Sequence, residues 1–222
     1  MRTHFKRTGW VAIGVLTAAA AFSLPAAAKK KDPYVAYTIV PAIGPETGLD
    51  GPQKVQLLRE GVSAEISYVT GVVRRRMMTA TLDIEYDPFA TPSGMEPRFY
   101  TFLISLENTS ERSVFFNPST SRLLTNHNKV AYAMDYSALY QDLARARGLT
   151  LKQLQQVVFD RSFQLGPGGR ARKLLVFERL PEKWDSFTLG MTLDVDGLSV
   201  VELSAPFRKE LLEQDETPKG KE

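Results

Sequence analysis

The sequence contains no cysteine and only two histidines among its 222 residues. Without cysteine the protein cannot form disulfide bonds, thiolate zinc sites, iron–sulfur clusters or a cysteine nucleophile. His4 lies in a segment that we expect to be removed, so a zinc site built from several histidines is also excluded. His127 lies in a polar stretch that is typical of an exposed turn. We therefore expect neither a metal nor a cofactor.

Residues 1–28 have the pattern of a secretory signal peptide. An apolar stretch at 11–24 follows a short basic region, and Pro25 then precedes the small residues Ala26–Ala28. The basic residues of that region are Arg2, Lys6 and Arg7. We expect export and cleavage after Ala28, which would place the mature chain in the periplasm of a bacterial envelope or outside the cell.

The same apolar stretch allows a second interpretation. Residues 9–28 number about 20, which is enough to span a bilayer as a helix. The alternative is therefore an uncleaved helix that anchors the protein in the inner membrane. No cysteine follows the stretch, which excludes a lipoprotein anchor.

The formal net charge of +3 comes from this N-terminal segment. The whole chain has 28 Lys and Arg residues against 25 Asp and Glu residues, and three of the basic residues belong to the signal. Without the signal the two signs balance. The overall charge therefore gives no reason to expect a nucleic-acid partner.

Composition divides the remaining chain into three parts. Residues 29–53 are rich in proline and glycine and are predicted to form an extended leader or linker, in which Tyr34–Val40 can add an edge strand. Residues 54–208 contain most of the apolar patterning and are predicted to form one folded domain. Residues 209–222 are polar and highly charged, which predicts a flexible tail.

Alternation of apolar and polar residues dominates the domain. Four stretches show it: 62–69, 79–86, 100–107 and 186–195. Each places one face on a core and the other toward water, as an antiparallel strand does. Leu174–Phe177 is apolar throughout and predicts a strand covered on both faces, while Asp196-Gly197 is typical of a type I′ hairpin turn. The sequence therefore predicts a mostly β fold, an antiparallel sandwich.

One segment, about 135–158, interrupts this pattern with helical spacing. Its apolar stripe consists of Tyr136, Leu139, Tyr140 and Leu143. Asp135 or Ser137 can cap the first turn, and Thr150 with Gln153 has the pattern of a capping box opening a second short helix. We predict a short helical insertion that either caps an end of the sandwich with this stripe or presents part of it to a partner.

Presentation to a partner would involve residue types that are enriched at binding hot spots, namely tyrosine and arginine. The candidate residues are Tyr136, Tyr140, Arg145 and Arg147. Because we expect an exported protein, the partner we expect is another protein of the cell envelope.

Two basic clusters are candidates for contact with an anion. Their residues are Arg74, Arg75 and Arg76, and Arg170, Arg172 and Lys173. The first cluster lies between two predicted strands. The second follows a glycine-rich turn but precedes a strand, whereas a phosphate-binding loop precedes a helix. If the clusters lie together, they can bind anionic lipid or a glycan.

Patterns that indicate catalysis are few. Asp83 and Glu85 share one face of a predicted strand, a spacing available to paired-carboxylate hydrolysis but also found on any solvated strand. No Gly-x-Ser-x-Gly nucleophile turn is present. Asp194, Asp196 and Gly197 lack the remaining ligands of a calcium loop. We expect a non-catalytic protein, with a carboxylate- or serine-dependent hydrolase as the remaining alternative.

The order of strands and turns resembles a known group of domains. The matching segments are Phe102–Ser110, Val114–Phe116, Leu165–Gly168 and Leu175–Glu178, with the helical insertion between the second and third. This order is similar to the immunoglobulin-like sandwich domains of uncharacterised bacterial exported proteins, over about residues 62–207. The resemblance implies a fold and a compartment, and it supplies no catalytic residues.

The signal-peptide interpretation predicts a defined N-terminus. Mass spectrometry of the protein recovered from cells should find a mature chain that begins at Lys29, because the small residues before it suit signal peptidase. An intact Met1 on protein extracted from membranes would contradict cleavage and favour the anchored alternative.

Overall fold

A computed structural model describes the backbone of most of the predicted domain. The described residues are 36–42, 48–49, 54–92, 95–144, 149–180 and 183–212. The predicted signal peptide at 1–28 lies outside them. Among the described residues, no helix is both long and apolar enough to cross a membrane.

The described chain forms two antiparallel sheets that pack as a sandwich. The first sheet contains β1 (Tyr37–Pro41), β6 (Val114–Phe116), β7 (Arg122–Thr125), β8 (Val130–Tyr132), β9 (Phe163–Leu165), β11 (Ser186–Val195) and β12 (Ser199–Leu211). The second contains β2 (Gly48–Leu49), β3 (Lys54–Arg59), β4 (Val62–Tyr68), β5 (Phe99–Asn108) and β10 (Arg170–Glu178). The prediction of a mostly β sandwich is confirmed.

The order of strands places β10 at an edge of the second sheet, next to β5. In the first sheet, β11 pairs with β12 on one side and with both β6 and β7 on the other. β8 pairs with β7, and β9 pairs with β6. β8, β9 and β10 are therefore edge strands of their sheets.

In the part of the chain that the structure describes, three short helices accompany the sheets. They are α1 (Gly71–Leu82), α2 (Tyr136–Leu139) and α3 (Leu151–Val157). A π-helical turn, Tyr140–Ala144, continues α2, and a 3-10 turn occupies Pro118–Thr120. Asp135 caps α2 by accepting from the Ala138 amide, and Thr150 with Gln153 forms the predicted capping box of α3. The predicted helical insertion is confirmed.

The main core fills the space between the two sheets, and Phe102 lies within it. The Phe102 ring centre is 5.9 Å from that of Phe177, 6.0 Å from that of Phe187 and 5.1 Å from that of Phe207. Phe102 itself is fully buried. Rings from both sheets thus meet at one residue of β5.

A second apolar cluster covers the outer face of the second sheet. Leu174 and Val176 of β10 contribute to it, and α1, α2 and α3 supply Met78, Leu139 and Leu154. The apolar stretch Leu174–Phe177 is therefore covered on both faces, as predicted. Its other two residues belong to the main core.

The predicted strand at 79–86 was wrong, because α1 occupies its first half. Met78 is buried and Leu82 half-buried, and their spacing of four residues is that of a helix face rather than a strand face. Asp83 ends the helix in the left-handed conformation, with φ of 56°. Asp83 and Glu85 consequently do not share a strand face, so the geometry on which the paired-carboxylate interpretation depends is absent from these two residues.

Two turns show why the strands reverse where they do. Asp196 and Gly197 have φ angles of 55° and 68°, the positive values that a type I′ hairpin needs, so the predicted turn between β11 and β12 is confirmed. Glu60 and Gly61, with φ of 48° and 77°, connect β3 to β4 in the same way.

The folded domain extends past the predicted limits of 54 and 208. β1 lies within the predicted leader and pairs with β12, which reaches Leu211 inside the predicted tail. The Tyr37 hydroxyl lies 2.8 Å from the Tyr100 hydroxyl, which fastens β1 over the core. Residues from 213 onward lie outside the described residues.

Truncation of Phe102 tests this account of the core. Phe102→Ala should lower the free energy of unfolding by about 3–5 kcal/mol, because it leaves a cavity among the rings of both sheets. Urea unfolding followed by fluorescence measures the change. Phe115→Ala is a matched control, since Phe115 is 45% exposed on β6. A similar loss for both variants would contradict the placement of Phe102.

Candidate binding surfaces at the ends of strand β10

The outer edge of β10 is covered from Leu174 to Phe177 by residues at the two ends of the helical insertion. Met134 donates its amide to the Val176 carbonyl at 2.8 Å, and Phe159 donates to the Leu174 carbonyl at 2.9 Å. These two amides lie at the start and the end of the helical insertion. The insertion is therefore tied to β10 at both ends, and each end of β10 borders an open surface.

The first surface, the β8 groove, lies beside the C-terminal end of β10 and has a volume of about 600 Å³. Its lining consists of Ser119, Val130, Ala131, Tyr132, Ala133, Met134, Asp135, Ala138, Glu178 and Arg179. A bridge between Ala133 and Phe177 joins the two strands, and beyond it they are not paired. The groove thus opens where β8 and β10 separate.

The register of β8 shows which backbone groups face away from β7. Thr125 donates to Lys129, and Ala133 donates to Ser121, so odd-numbered residues of this strand bond to β7. Val130 and Tyr132 alternate with them and point their N–H and C=O groups outward. Their side chains are 41% and 61% exposed. β8 therefore offers an edge to which an extended chain can pair.

Charge in the β8 groove is negative on balance. Arg179 forms an ion pair with Glu96 at 3.0 Å, which offsets its charge. Asp135 uses one carboxylate oxygen to cap α2, and Glu178 is exposed at the end of β10. These two carboxylates favour a basic group in whatever occupies the groove.

The second surface, the β9–β10 cleft, lies beside the N-terminal end of β10 and has a volume of about 460 Å³. Its apolar lining consists of Phe159, Phe163, Leu165 and Ala171. Its polar lining consists of Gln155, Asp160, Arg161, Ser162, Arg170 and Lys173. The buried amide of Asn108 fixes the turn below it by donating to the Leu165 and Gly166 carbonyls, each at 3.0 Å.

Asp160 and Arg161 form the polar wall of this cleft. The side chain of Asp160 is only 5% exposed, and its Oδ2 lies 3.5 Å from Nε of Arg161. That oxygen accepts no hydrogen bond from any described residue. Arg161 is 64% exposed, so its remaining N–H groups reach solvent. Sequence reasoning missed this pair, since an acid followed by a base is common in any surface loop.

The second predicted basic cluster lies at the cleft. Arg170 forms an ion pair with Glu107 at 2.5 Å, and Lys173 donates to the Gln155 carbonyl at 2.5 Å. Both residues line the cleft, whereas Arg172 is exposed and does not line it.

The first predicted basic cluster lies on α1, not in a loop. Arg74 is buried, and its guanidinium donates to Asp87 at 2.9 Å, to the Val69 carbonyl at 2.9 Å and to Thr101 at 2.8 Å. A buried arginine whose charge is paired in this way is occupied within the fold. Arg75 and Arg76 are exposed and remain candidates for anion contact.

The two basic clusters do not form one site around Arg74. Arg74 binds Thr101, and Arg170 pairs with Glu107 of the same strand. These two β5 residues are six positions apart, which corresponds to about 20 Å along a strand.

The predicted stripe of the helical insertion divides between core and solvent. Leu139 and Leu143 are fully buried, while Tyr136 and Tyr140 are 38% and 44% exposed. The two tyrosine rings stack with their centres 6.2 Å apart. The leucines cap the outer face of the second sheet, and the tyrosines stay available to a partner. Arg145 and Arg147 lie outside the described residues.

Other titratable groups take part in the fold. Burial raises the pKa of Tyr100 to about 12, because the ionised phenol would lose its hydration in the core. Asp194 accepts from the Gly197 amide and Asp196 from the Ser113 amide, so both carboxylates support the hairpin. Among the described residues, no cluster of three or more histidines and acids can hold a metal.

Comparison with solved structures finds weak structural similarity. No protein-family model matches the chain, and no curated protein matches it. The crystal structure of the yjhA protein from Bacillus subtilis is similar over 61% of this chain and 76% of that chain, with 12% identity and a TM-score of 0.35.

The division of the stripe predicts that its leucines contribute much more to the free energy of unfolding than its tyrosines do. Leu139→Ala should lower the free energy of unfolding by about 2–5 kcal/mol, because it leaves a cavity under α2. The double variant Tyr136→Ser with Tyr140→Ser should change it by less than about 1 kcal/mol, since both rings face solvent. Thermal and urea unfolding of the two proteins measure the difference. A large loss in the tyrosine variant would show that the rings are part of the core.

Proposed function

We propose that the protein is a non-catalytic, exported protein of the bacterial envelope, in which an immunoglobulin-like sandwich binds another envelope protein. Export is supported by the signal-peptide pattern of residues 1–28 and the small residues that precede Lys29. Sandwich domains commonly present a strand edge or their loops to partners.

The observation that carries this proposal is the edge of β8. Val130 directs its backbone N–H and C=O groups away from β7 beside an open groove, and the side chains of Val130 and Tyr132 are 41% and 61% exposed. Natural proteins usually protect such an edge with charge, proline or a covering loop. An edge left open next to a groove suits addition of a strand from a partner.

The chemistry of the groove favours a particular kind of partner segment. Tyr132 and Val130 would pack against apolar side chains of an added strand, as cross-strand neighbours do. Glu178 and Asp135 would attract a lysine or arginine in it. A second copy of this chain, joined edge to edge, would bring the same acidic residues together. We therefore infer an extended, basic and apolar segment of a different protein.

The exposed tyrosines supply a second contact for such a partner. Tyr136 and Tyr140 lie on the insertion, whose start lines the groove, and tyrosine loses little conformational entropy on binding. Arg145 and Arg147, which follow them in the sequence, stay candidates for the same partner. The groove supplies backbone pairing, and the tyrosines supply apolar area.

The alternative, an accessory protein that contacts anionic lipid or glycan, rests on the exposed basic residues. Arg75 and Arg76 on α1 and Arg172 on β10 reach solvent. We do not propose a hydrolase, because Asp83 and Glu85 lie after the end of α1 and not on a shared strand face.

A proline substitution tests the use of the β8 edge. Because the Val130 amide points away from β7, Val130→Pro removes a donor that the fold itself does not use. Capture of partners from the solubilised cell envelope should fall at least tenfold, with the melting temperature nearly unchanged. Val130→Thr keeps the donor and is the matched control. Overlapping peptides of the captured protein should bind through an extended segment that contains lysine or arginine.

Two results would contradict the proposal. Equal capture by Val130→Pro and Val130→Thr would show that the β8 edge is not the binding surface. Recovery of the protein only from the cell interior would overturn export, whichever surface it uses.

A further inference from the structure

The β9–β10 cleft combines an apolar floor with a cationic rim, which consists of Arg161 and Lys173. Phe159 and Leu165 are buried beneath it, and Phe163 and Ala171 are half-buried at its surface. Phe159 and Phe163 stack with ring centres 5.1 Å apart, which gives the floor a continuous aromatic part. From this juxtaposition we propose that the cleft binds a single-chain anionic amphiphile, a fatty-acid-like molecule with one charged head.

The size of the cleft agrees with one chain. Its volume of about 460 Å³ lies within the range of about 300–1,000 Å³ usual for small-molecule sites. The cleft opens between an edge strand of each sheet, so a chain can enter from the side without separating the sandwich. A linear alkyl chain lying over Phe163 and Ala171 would remove their exposed apolar surface from water.

The charges of the cleft match one negative head group. Glu107 offsets Arg170, and Asp160 offsets Arg161, so the charge that remains is that of Lys173. Lys173 uses one N–H on the Gln155 carbonyl and has two more to donate. A carboxylate or phosphate bound there would also accept from the exposed N–H groups of Arg161.

Asp160 positions the arginine of this site. Its carboxylate is buried, and Oδ2 accepts no hydrogen bond from the described residues, so its described partner at that oxygen is the Arg161 guanidinium. Holding Arg161 at the cleft reduces the conformational freedom that the side chain would lose on binding. The buried Asp160 carboxylate thus has a role in the site, which is to hold the Arg161 side chain in position.

Binding of dodecanoate to the purified protein tests the proposal. Calorimetry below the micellar concentration should detect a single site, and affinity should fall up to about fourfold for every methylene removed from the chain. Dodecylamine and inorganic phosphate should bind at least tenfold more weakly, since the first lacks the anion and the second lacks the chain. Absence of dodecanoate binding, or equal binding of either analogue, would overturn the proposal.

Variants of the rim locate the site. Arg161→Gln should weaken dodecanoate binding about tenfold, as expected for loss of a hydrogen bond to a charged group. Because it leaves Asp160 unpaired, the double variant Asp160→Asn with Arg161→Gln provides a second protein that keeps its fold. Arg172→Gln is the matched control, since Arg172 belongs to the same strand but lies outside the cleft lining. Equal loss of dodecanoate binding in Arg172→Gln would show that the effect comes from the overall charge of the protein and not from the cleft.

Vesicles distinguish the two sources of such a ligand. If the amphiphile is presented by a membrane, the protein should sediment with phosphatidylcholine vesicles that contain oleic acid, and Arg161→Gln should abolish this sedimentation. If the ligand is a free fatty acid, dodecanoate should bind while the protein stays in the supernatant. Sedimentation that Arg161→Gln leaves unchanged, together with absence of dodecanoate binding, would show that other basic residues contact the vesicles. That result would contradict binding of an amphiphile in the cleft.

Discussion

Strand β10 needs cover on both faces, and the arrangement of the other elements follows from this need. Leu175 and Phe177 point into the core between the sheets, while Leu174 and Val176 point to the opposite side. A strand with four consecutive buried apolar residues cannot lie at the surface of a two-layer sandwich. Helices α1, α2 and α3 supply the missing layer.

The edge of β10 adds a second requirement, because its even-numbered carbonyls point away from β5. Leu174 and Val176 have theirs satisfied by the amides of Phe159 and Met134. Buried backbone groups require partners, so the two ends of the helical insertion are fixed at these positions. The β8 groove and the β9–β10 cleft lie at the two ends of β10.

The sequence predicted the parts whose signal is local. Asp196-Gly197 needs positive φ angles that this dipeptide adopts readily, and Thr150 with Gln153 makes its capping box within one turn. The apolar stretch Leu174–Phe177 predicted a strand that is buried on both faces, and all four residues are buried. Each of these features depends on residues close together in the chain.

Helix α1 escaped prediction because its support is distant. Its apolar face is narrow, with Met78 buried and Leu82 half-buried, so helical periodicity is weak. Arg74 fastens it through Asp87 and Thr101, which are 13 and 27 residues further along the chain. The three arginines therefore looked like a solvated loop, although one of them is a buried anchor.

The candidate surfaces could not be predicted for a similar reason. The β8 groove exists because β8 and β10 separate after the bridge at Ala133 and Phe177, and that separation depends on the packing of two sheets. The β9–β10 cleft has Arg161 and Lys173, which come from different elements, in one lining. Such juxtapositions come from tertiary structure, and a pattern of residues along the chain does not contain them.

The two surfaces share the helical insertion as a common support. Met134, at its start, lines the β8 groove, and Phe159, after its end, lines the β9–β10 cleft. Met134 bonds to Val176 and Phe159 bonds to Leu174, and these two β10 residues are only two positions apart. Loosening of the insertion would therefore disturb both surfaces together, whereas a change confined to Val130 or Arg161 would affect one. Loss of both binding activities in a single variant thus points to the support of the insertion and not to either surface.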